Sequence, residues 1–308
     1  MGKQRQFPLM NKDSIDFKSH LAAVSEEVEV ILNDVLPLPS GNQKAVIEAT
    51  RYAVLGGGKR IRPFLMIETA RMLGHLNKGV YIAGAALECM HVYSLVHDDL
   101  PCMDNDDFRR GKPTVHKKYN EALAVLTGDN LLTISFELLT NPEVHENPNV
   151  RMSLIKDLAK AGGANGMIGG QVIDISNSEI LRDEVFISQL QKLKTGALIE
   201  YAVTAGATLS NAIESEKTAL KNYARDIGLA FQIKDDILDV EGDAEIVGKS
   251  VGKDDALGKV TFVSILGLEN AKAKASQLGK NAIRHLKPFG NKAEILSKTV
   301  DFILNRAY

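Results

Sequence analysis

Apolar residues recur along this chain at the three- and four-residue spacing of an α-helix, and segments that alternate apolar and polar residues are almost absent. Some segments, such as GVYIAGAALECMHVYSLV at 79–96, are apolar on nearly every face, so we expect them at the centre of a large bundle. The sequence therefore predicts an all-α fold. The predicted helices cover 16–36, 43–55, 61–74, 80–99, 121–140, 150–175, 185–209, 216–240, 260–286 and 291–306.

Composition fits one folded unit. The 308 residues are 44% hydrophobic and 25% charged, which is ordinary for a globular protein with a sizeable core. Linkers rich in glycine, proline or serine that would divide the chain are missing. We therefore predict a single all-α domain over residues 16–308 and a flexible N-terminal tail over residues 1–15.

Charge, cysteines and hydropathy narrow the class of protein. A net charge of −2 argues against a nucleic-acid binder, which usually carries a basic excess. Cys89 and Cys102 form no CxxC pair and no disulfide framework, a usage typical of reducing compartments. The N-terminus lacks a long apolar signal segment, and no run of 18 or more apolar residues indicates a membrane span. We expect a cytoplasmic protein without a membrane span.

A dense aspartate cluster lies in HVYSLVHDDLPCMDNDDFRRG, residues 91–111. Two carboxylates ~4 Å apart repel by roughly 4 kcal/mol at an effective dielectric of about 20, so the cluster needs a cation. Asp98 and Asp104 are six residues apart and would not align on a continuous helix. Pro101 interrupts that helix, and the resulting turn can bring Asp104 back beside Asp98.

A second cluster ends the apolar segment AFQIKDDILD. Asp235 and Asp239 share one helix face, and negative charge near a helix C-terminus opposes the macrodipole unless a cation is present. A solvated acidic surface is the common alternative. The first cluster, read from Asp104, does not fit a calcium loop, and histidine and cysteine ligands at zinc spacing are absent from the sequence. Carboxylates on two walls of one cavity instead favour Mg²⁺, which also binds phosphate oxygens.

Cations accompany both clusters. VLGGGKRIRP carries Lys59 and Arg62 but is not a Walker A loop, and Lys194 precedes an apolar run in QKLKTGALIEYA. A flexible turn and a surface lysine are the ordinary explanations of these two features. The remaining basic residues near the clusters are Arg109, Arg110, Lys249, Lys253 and Lys259.

These motifs together resemble the trans-isoprenyl diphosphate synthase family, in particular its bacterial-type farnesyl diphosphate synthases. The segments GGGKRIRP, DDLPCMDNDDFRRGKPT, GGQVIDI, LKTGALI and FQIKDDILD stand in the family's order over most of residues 55–260. The resemblance implies a helical bundle around a deep apolar cavity, a homodimer, and several Mg²⁺ ions between the two aspartate motifs. Phe108 and the C-terminal NRAY depart from the family pattern. We expect neither to contact the chemistry, although the altered end could change how the C-terminus closes over the site.

The resemblance also implies roles for individual residues. The allylic diphosphate would bind Arg109, Lys194 and Lys259, with Lys249 and Gln232 nearby. Isopentenyl diphosphate would bind Lys59, Arg62, His91 and Arg110. The metal ligands would be Asp98, Asp104 and Asp235, with Asp99 and Asp239 as further candidates, while Lys194 and Thr195 would lie near the reacting carbon. The catalytic set is Asp98, Asp99, Lys194, Thr195 and Asp235, and His97 is structural.

The expected reaction condenses isopentenyl diphosphate with dimethylallyl and geranyl diphosphate to give (2E,6E)-farnesyl diphosphate. Tyr93, with Ser94, would form the cavity floor that stops elongation at fifteen carbons. A geranyl or geranylgeranyl diphosphate synthase, a terpene cyclase, a non-catalytic partner subunit and a purely structural helical protein are the alternatives. A cyclase needs no second diphosphate pocket, so Lys59, Arg62 and His91 argue against it.

Overall fold

The structure is a computed structural model and describes residues 16–176, 183–241 and 260–306. In these ranges the only strands form one short antiparallel hairpin, β1 (Phe108–Arg109) and β2 (Lys112–Pro113). The all-α prediction is confirmed.

The helices before residue 141 are α1 (Phe17–Val35), α2 (Lys44–Val54), α3 (Ile61–Met72), α4 (Lys78–Asp98), α5 (Val115–Lys118) and α6 (Glu121–Thr140). Those that follow are α7 (Pro148–Gly162), α8 (Met167–Ile175), α9 (Glu184–Gln191), a π-helical turn (Lys192–Gly196), α10 (Ala197–Leu209), α11 (Glu214–Glu241), α12 (Phe262–Leu266), α13 (Leu268–Leu286), a 3₁₀ segment (Lys287–Ala293) and α14 (Glu294–Asn305).

Two predicted helices are each divided into two. The stretch 150–175 breaks after Gly162, where the glycine-containing segment AGGANG separates α7 from α8. The stretch 260–286 breaks at Gly267, whose φ of 76° lies in the left-handed region that glycine adopts without steric cost. The prediction of one continuous helix was wrong at both places because glycine favours backbone conformations outside the right-handed helix.

Helix α4 lies at the centre of the larger hydrophobic core. It begins after Asn77, whose side chain accepts a hydrogen bond from the Val80 amide at 3.2 Å. Most of its residues are buried, and Tyr81 is fully buried with its hydroxyl 2.5 Å from a carboxylate oxygen of Glu27. This burial explains why α4 is apolar on all faces. The first aspartate motif therefore starts at the end of a rigid central element.

A smaller hydrophobic cluster packs around the C-terminal end of α11. Ile233 and Ile237 of α11 contact side chains of α9 and α12, including Phe262, which is fully buried. Leu304 of α14 contacts both this cluster and the larger core. The extent of the domain, 16–308, stays a prediction, and the proposed tail of residues 1–15 lies outside the described residues.

Within the part of the chain that the structure describes, two helices, α4 and α6, are long and apolar enough to cross a membrane by length and composition alone. The apolar window of α4 is 83% buried inside the protein, as in the core helix of a soluble bundle, whereas that of α6 is 44% buried. Neither observation shows a membrane span, so the expectation that the protein has none stays a prediction.

Candidate active site

The first aspartate motif folds back on the end of α4. The Asp104 amide donates a hydrogen bond to the Asp98 carbonyl at 2.8 Å, and the Asn105 amide donates to the Leu100 carbonyl at 3.1 Å. Asn105 has a φ of 51°, in the left-handed region that asparagine tolerates better than most residues. The expectation that the turn at Pro101 returns Asp104 to Asp98 is confirmed.

Asp98 is the most perturbed carboxyl of this motif. Burial raises its pKa to about 6, the nearby Asp104 also raises it, and the cations of Lys194 and Arg109 oppose the rise. The Gln171 side-chain amide donates a hydrogen bond to Asp98 Oδ1 at 2.8 Å. Gln171 belongs to the GGQVIDI motif, and its contact with Asp98 gives that motif a role that the sequence analysis did not assign.

Asp99 points to a different partner. Its Oδ1 accepts a hydrogen bond from Arg109 Nε at 2.7 Å, and Arg109 Nη2 forms an ion pair with the same oxygen at 2.6 Å. Burial raises the pKa of Asp99, although the bonds from Arg109 favour the ionised form. The carboxylate of Asp99 therefore orients the Arg109 guanidinium, and this contact accounts for a buried acidic residue beside Asp98.

A π-helical turn presents Lys194 and Thr195 to the same region. Lys194 Nζ lies 2.6 Å from Asp174 Oδ2, and Thr195 Oγ1 donates to Gln232 Oε1 at 3.1 Å. Gly170 of α8 packs directly on the backbone of Lys194, where a larger residue would clash. Such π-helical turns are rare in proteins overall, and those that occur are often found at functional sites. A cavity of about 100 Å³ adjoins the turn and is lined by Asp174, Gln191, Lys194, Thr195, Gln232, Asp236, Val260 and Thr261.

In the second aspartate motif, two side chains that are neighbours in sequence lie in different environments. Asp235 is 43% exposed, and its Oδ1 accepts a hydrogen bond from Arg306 Nη2 at 2.7 Å. Asp236 is 3% exposed and accepts a hydrogen bond from the Phe262 amide at 2.7 Å. Asp236 also accepts from the Gln232 side chain at 3.1 Å. Asp235 is thus available to a ligand at the surface of the site, while Asp236 anchors the start of α12.

Arg306 brings the C-terminus into the site. Its guanidinium lies 3.9 Å from the centre of the Phe231 ring, and its Nη2 donates to the Phe231 carbonyl at 2.9 Å. Burial lowers its pKa, which the Asp235 carboxylate opposes. The expectation that this end does not contact the chemistry was wrong for Arg306, which contacts Asp235 directly. Phe108, by contrast, is 67% exposed.

A second group of cations lies beside α4. Arg62 Nη1 is 3.3 Å from His91 Nε2, and since a guanidinium only donates, this ring nitrogen accepts. Burial and then the charges of Arg62 and Arg110 hold the pKa of His91 well below its ordinary value, so the ring is neutral. Burial and Arg306 lower the pKa of Lys59, while Asp235 opposes them. Because α3 begins at Ile61, Lys59 stands before the helix rather than in its first turn.

Electrostatic effects extend from each aspartate motif to basic residues on other segments of the chain. Asp235 of α11 acts on the pKa values of both Lys59 and Arg62, and Lys194 acts on that of Asp98. Within the described residues, the buried Nε of Arg62 has no hydrogen-bond partner. The site therefore brings cationic side chains together with two carboxylate motifs, and the buried Arg62 Nε is a donor that suits a phosphate oxygen.

The proposed chain-length residues lie on α4. Tyr93 is 6% exposed, and its ring meets the His97 ring edge-on at 5.6 Å. His97 Nε2 lies 3.0 Å from the Val125 carbonyl of α6, which fits the structural role expected for it. Ser94 Oγ donates to the His91 carbonyl at 2.8 Å. Tyr93 thus belongs to the packed region between α4 and α6, and its effect on product length stays a prediction.

The carboxylate oxygens of the two aspartate motifs suit a Mg²⁺ ion that is bound by protein and substrate together. Among the described residues no three histidine, cysteine, aspartate or glutamate side chains converge as a preformed metal cluster. Mg²⁺ usually takes only one or two carboxylates and completes its shell with water and phosphate oxygens. Asp98 and Asp104 on one side and Asp235 on the other provide such hard oxygens. Lys249, Lys253 and Lys259 lie outside the described residues.

Comparison with known proteins identifies the class. Residues 43–299 match the family model described as polyprenyl synthetase. Farnesyl diphosphate synthase of Escherichia coli (strain K12) is 42% identical over 95% of this chain and 99% of the relative. Geranylgeranyl pyrophosphate synthase 4 of Arabidopsis thaliana is 39% identical over 95% of this chain and 79% of the relative. The apo crystal structure of an FPP/GFPP synthase from Zymomonas mobilis superposes with a TM-score of 0.85, at 43% identity over 94% of this chain and 99% of that chain.

The helical bundle and its paired aspartate motifs are thus those of a trans-prenyl diphosphate synthase. The chain belongs to the polyprenyl synthetase family. Enzymes of this family use isopentenyl and allylic diphosphates as substrates.

Proposed function

We propose that the protein is a farnesyl diphosphate synthase that joins isopentenyl diphosphate first to dimethylallyl and then to geranyl diphosphate. The observation that carries this proposal is the presence of two cation groups, one beside each aspartate motif. Arg109 and Lys194 act on Asp98, whereas Lys59 and Arg62 respond to Asp235. Two diphosphates need two such groups, and a cyclase needs only one.

The two groups would bind different substrates. Arg109 and Lys194, with Gln232 nearby, would bind the allylic diphosphate, and Lys249 and Lys259 would join them. Lys59, Arg62, His91 and Arg110 would bind isopentenyl diphosphate. Charge-assisted bonds from arginine to phosphate are among the strongest hydrogen bonds in proteins, which suits substrates recognised mainly through their diphosphates.

Asp98, Asp104 and Asp235 would hold several Mg²⁺ ions against the allylic diphosphate, with Asp239 as a further candidate. When bound, Mg²⁺ supplies positive charge that stabilises the negative charge developing on the leaving diphosphate. Asp99 contributes indirectly, because its carboxylate orients Arg109 by accepting hydrogen bonds from Nε at 2.7 and 2.9 Å.

The reaction breaks the bond between C1 of the allylic substrate and its diphosphate oxygen. Arg109 and Lys194 stabilise the departing diphosphate, and Asp174 fixes Lys194 Nζ from 2.6 Å away. The double bond of isopentenyl diphosphate then forms a new carbon–carbon bond to C1, and the departed diphosphate accepts the proton that is lost. The Thr195 oxygen, held by Gln232 at 3.1 Å, would lie near the carbocation. Apolar walls would exclude water that otherwise quenches it.

Product length separates two candidate activities. The E. coli farnesyl and Arabidopsis geranylgeranyl enzymes match this chain at 42% and 39% identity, so the second candidate is a geranylgeranyl diphosphate synthase. The aromatic side chain of Tyr93, five residues before Asp98, favours the fifteen-carbon product, because a bulky floor limits the growing chain.

Product analysis tests the proposal. The purified protein is incubated with Mg²⁺, dimethylallyl diphosphate and excess isopentenyl diphosphate, and the dephosphorylated products are separated by chain length. We expect farnesol as the main product. Geranylgeraniol would establish the second candidate. Cyclised hydrocarbons formed without isopentenyl diphosphate, or no turnover at all, would contradict a chain-elongating synthase and favour a cyclase or a non-catalytic subunit.

We further propose that the enzyme is a cytoplasmic homodimer. The side chains of Val125 and Leu126 on α6 are 42% and 55% exposed and offer an apolar surface to a second copy. Cys89 is buried and Cys102 is exposed, and both are free thiols, which suits a reducing compartment. Light scattering after size-exclusion chromatography should give twice the chain mass, and a Leu126→Asp variant should shift it towards the monomer.

A further inference from the structure

Glu88 is a buried carboxylate in the middle of α4. It is 1% exposed and lies three residues before His91, so the two side chains occupy neighbouring positions on one helix face. An isolated buried carboxylate is strongly unfavourable unless cations and hydrogen bonds compensate it. The partners of Glu88 therefore identify what this charge does.

Arg60 is the first partner. It is 3% exposed, and its Nη1 donates to Glu88 Oε1. Its Nε also donates to Glu29 Oε1 at 3.0 Å. Arg60 has a φ of 48° directly before α3, a left-handed conformation that costs energy in an arginine. The ion pair with Glu88 offsets this cost and fixes the segment between Lys59 and Arg62 against α4.

Arg110 is the second partner. Its Nη2 lies 3.8 Å from the same oxygen of Glu88, and its Nη1 donates to the Gly57 carbonyl. A side chain at Gly58 would overlap the Arg110 guanidinium, so the glycine loop closes directly over it. One carboxylate oxygen thus contacts guanidinium groups from two loops, at 57–60 and at 108–113.

Repulsion among the neighbouring guanidinium groups explains why a carboxylate is needed at this position. Arg60 and Arg110 both act on neighbouring cations here. After burial, Arg60 lowers the pKa of Arg110, and Arg110 lowers the pKa of Arg62. Glu88 opposes the shift in both Arg62 and Arg110. Without an anion among them, these guanidinium groups repel and would move apart.

We propose that Glu88 is a positioning residue for isopentenyl diphosphate: its buried carboxylate holds Arg110 and the Lys59–Arg62 segment at the spacing that the diphosphate requires. This role rests on the proposed function of that pocket. Glu88 does not contact the substrate in this role but acts through the cations that do.

A Glu88→Gln variant separates positioning from simple electrostatics. Glutamine keeps the size and removes the charge. If net charge alone governed binding, losing a negative charge beside the pocket would strengthen binding of the diphosphate. If Glu88 positions the cations, the loss of charge-assisted bonds should weaken that binding. We expect the KM for isopentenyl diphosphate to rise about tenfold, with kcat and the allylic KM within about twofold.

Glu68→Gln is the matched control. Glu68 of α3 is also buried, at 2% exposed, and accepts a hydrogen bond from Arg71 Nε at 3.1 Å. Its loss should reduce stability to a similar degree and leave both KM values unchanged. Glu88→Asp keeps the charge on a shorter side chain and should recover part of the affinity. It also tests the role if Glu88→Gln fails to fold.

Calorimetric titration of isopentenyl diphosphate into each folded variant supplies a readout that does not depend on turnover. Wild-type or tighter binding by Glu88→Gln, or an equal rise in both KM values, would overturn the positioning role while leaving the synthase activity intact. A wild-type enzyme that neither binds nor consumes isopentenyl diphosphate would instead overturn the proposed function, and the role of Glu88 with it.

Discussion

Replacing Asp235 and Asp236 separately by alanine should distinguish a ligand-binding carboxylate from a structural one. The two residues are neighbours in sequence, yet Asp235 is 43% exposed and Asp236 is 3% exposed. Asp236 accepts the Phe262 amide at 2.7 Å and so fixes the start of α12. We expect Asp236→Ala to lower stability and Asp235→Ala to lower turnover with little loss of stability.

The magnitudes follow from these contacts. Asp236→Ala leaves the buried Phe262 amide without its acceptor, and an unsatisfied buried donor costs about 1–3 kcal/mol. Asp235→Ala removes the ion pair with Arg306, but a pair with so exposed a carboxylate is screened by solvent and contributes at most about 1 kcal/mol. Removing the Asp235 charge also relieves its repulsion with the neighbouring carboxylates, which favours the folded state. The contact with Arg306 offsets part of that relief.

Urea unfolding without Mg²⁺, followed by circular dichroism, measures the free energy of unfolding of each variant. Asp301→Ala, which removes an exposed aspartate of α14, serves as the control and should match the wild type. Turnover is then measured at saturating Mg²⁺, where Asp235→Ala should be nearly inactive. Equal stability of the two variants, or a larger loss in Asp235→Ala, would refute the structural role of Asp236. Near-normal turnover by Asp235→Ala would refute its assignment to the metal.

Substitutions at three further residues test the pockets. Arg62→Ala should raise the KM for isopentenyl diphosphate at least about tenfold and change the allylic KM much less, because it removes a charge-assisted contact; a shift in the allylic KM instead would reverse the two pockets. His91→Gln should retain most of the affinity for isopentenyl diphosphate and His91→Ala should not, since the buried ring is neutral; equal losses in steady-state assays would contradict a neutral role. Tyr93→Ala should shift products to twenty carbons or more at a stability cost of about 3–5 kcal/mol, while Tyr93→Phe keeps the wild-type product; an unchanged fifteen-carbon product from Tyr93→Ala would show that another residue sets the length.

Features governed by local sequence could be predicted. Helical periodicity identified the helices, and Pro101 predicted the turn that returns Asp104 to Asp98, because proline restricts the chain within a few residues of itself. The breaks near Gly163 and at Gly267 were missed, since single glycines are tolerated inside many helices. The π-helical turn at Lys192–Gly196 was also missed, because one wider turn leaves the apolar pattern nearly unchanged.

Contacts between distant segments could not be predicted from pattern. Gln171 and Asp98 are 73 residues apart, and Arg306 and Asp235 are 71 apart, so each pair depends on how whole helices pack. A polar glutamine within the apolar GGQVIDI segment was the available signal for the first pair. Nothing local marks Arg306, which reaches the site only because α14 packs on the core through residues such as Ile303.

The most direct test measures how much inorganic diphosphate the wild-type enzyme releases for each dimethylallyl diphosphate that it consumes. With Mg²⁺ and excess isopentenyl diphosphate, we expect two molecules of diphosphate per dimethylallyl diphosphate, and none when isopentenyl diphosphate is left out. A ratio of three would indicate elongation to geranylgeranyl diphosphate. Release of diphosphate from allylic substrate alone, or no release with both substrates present, would contradict the assignment of two diphosphate pockets in one elongating synthase.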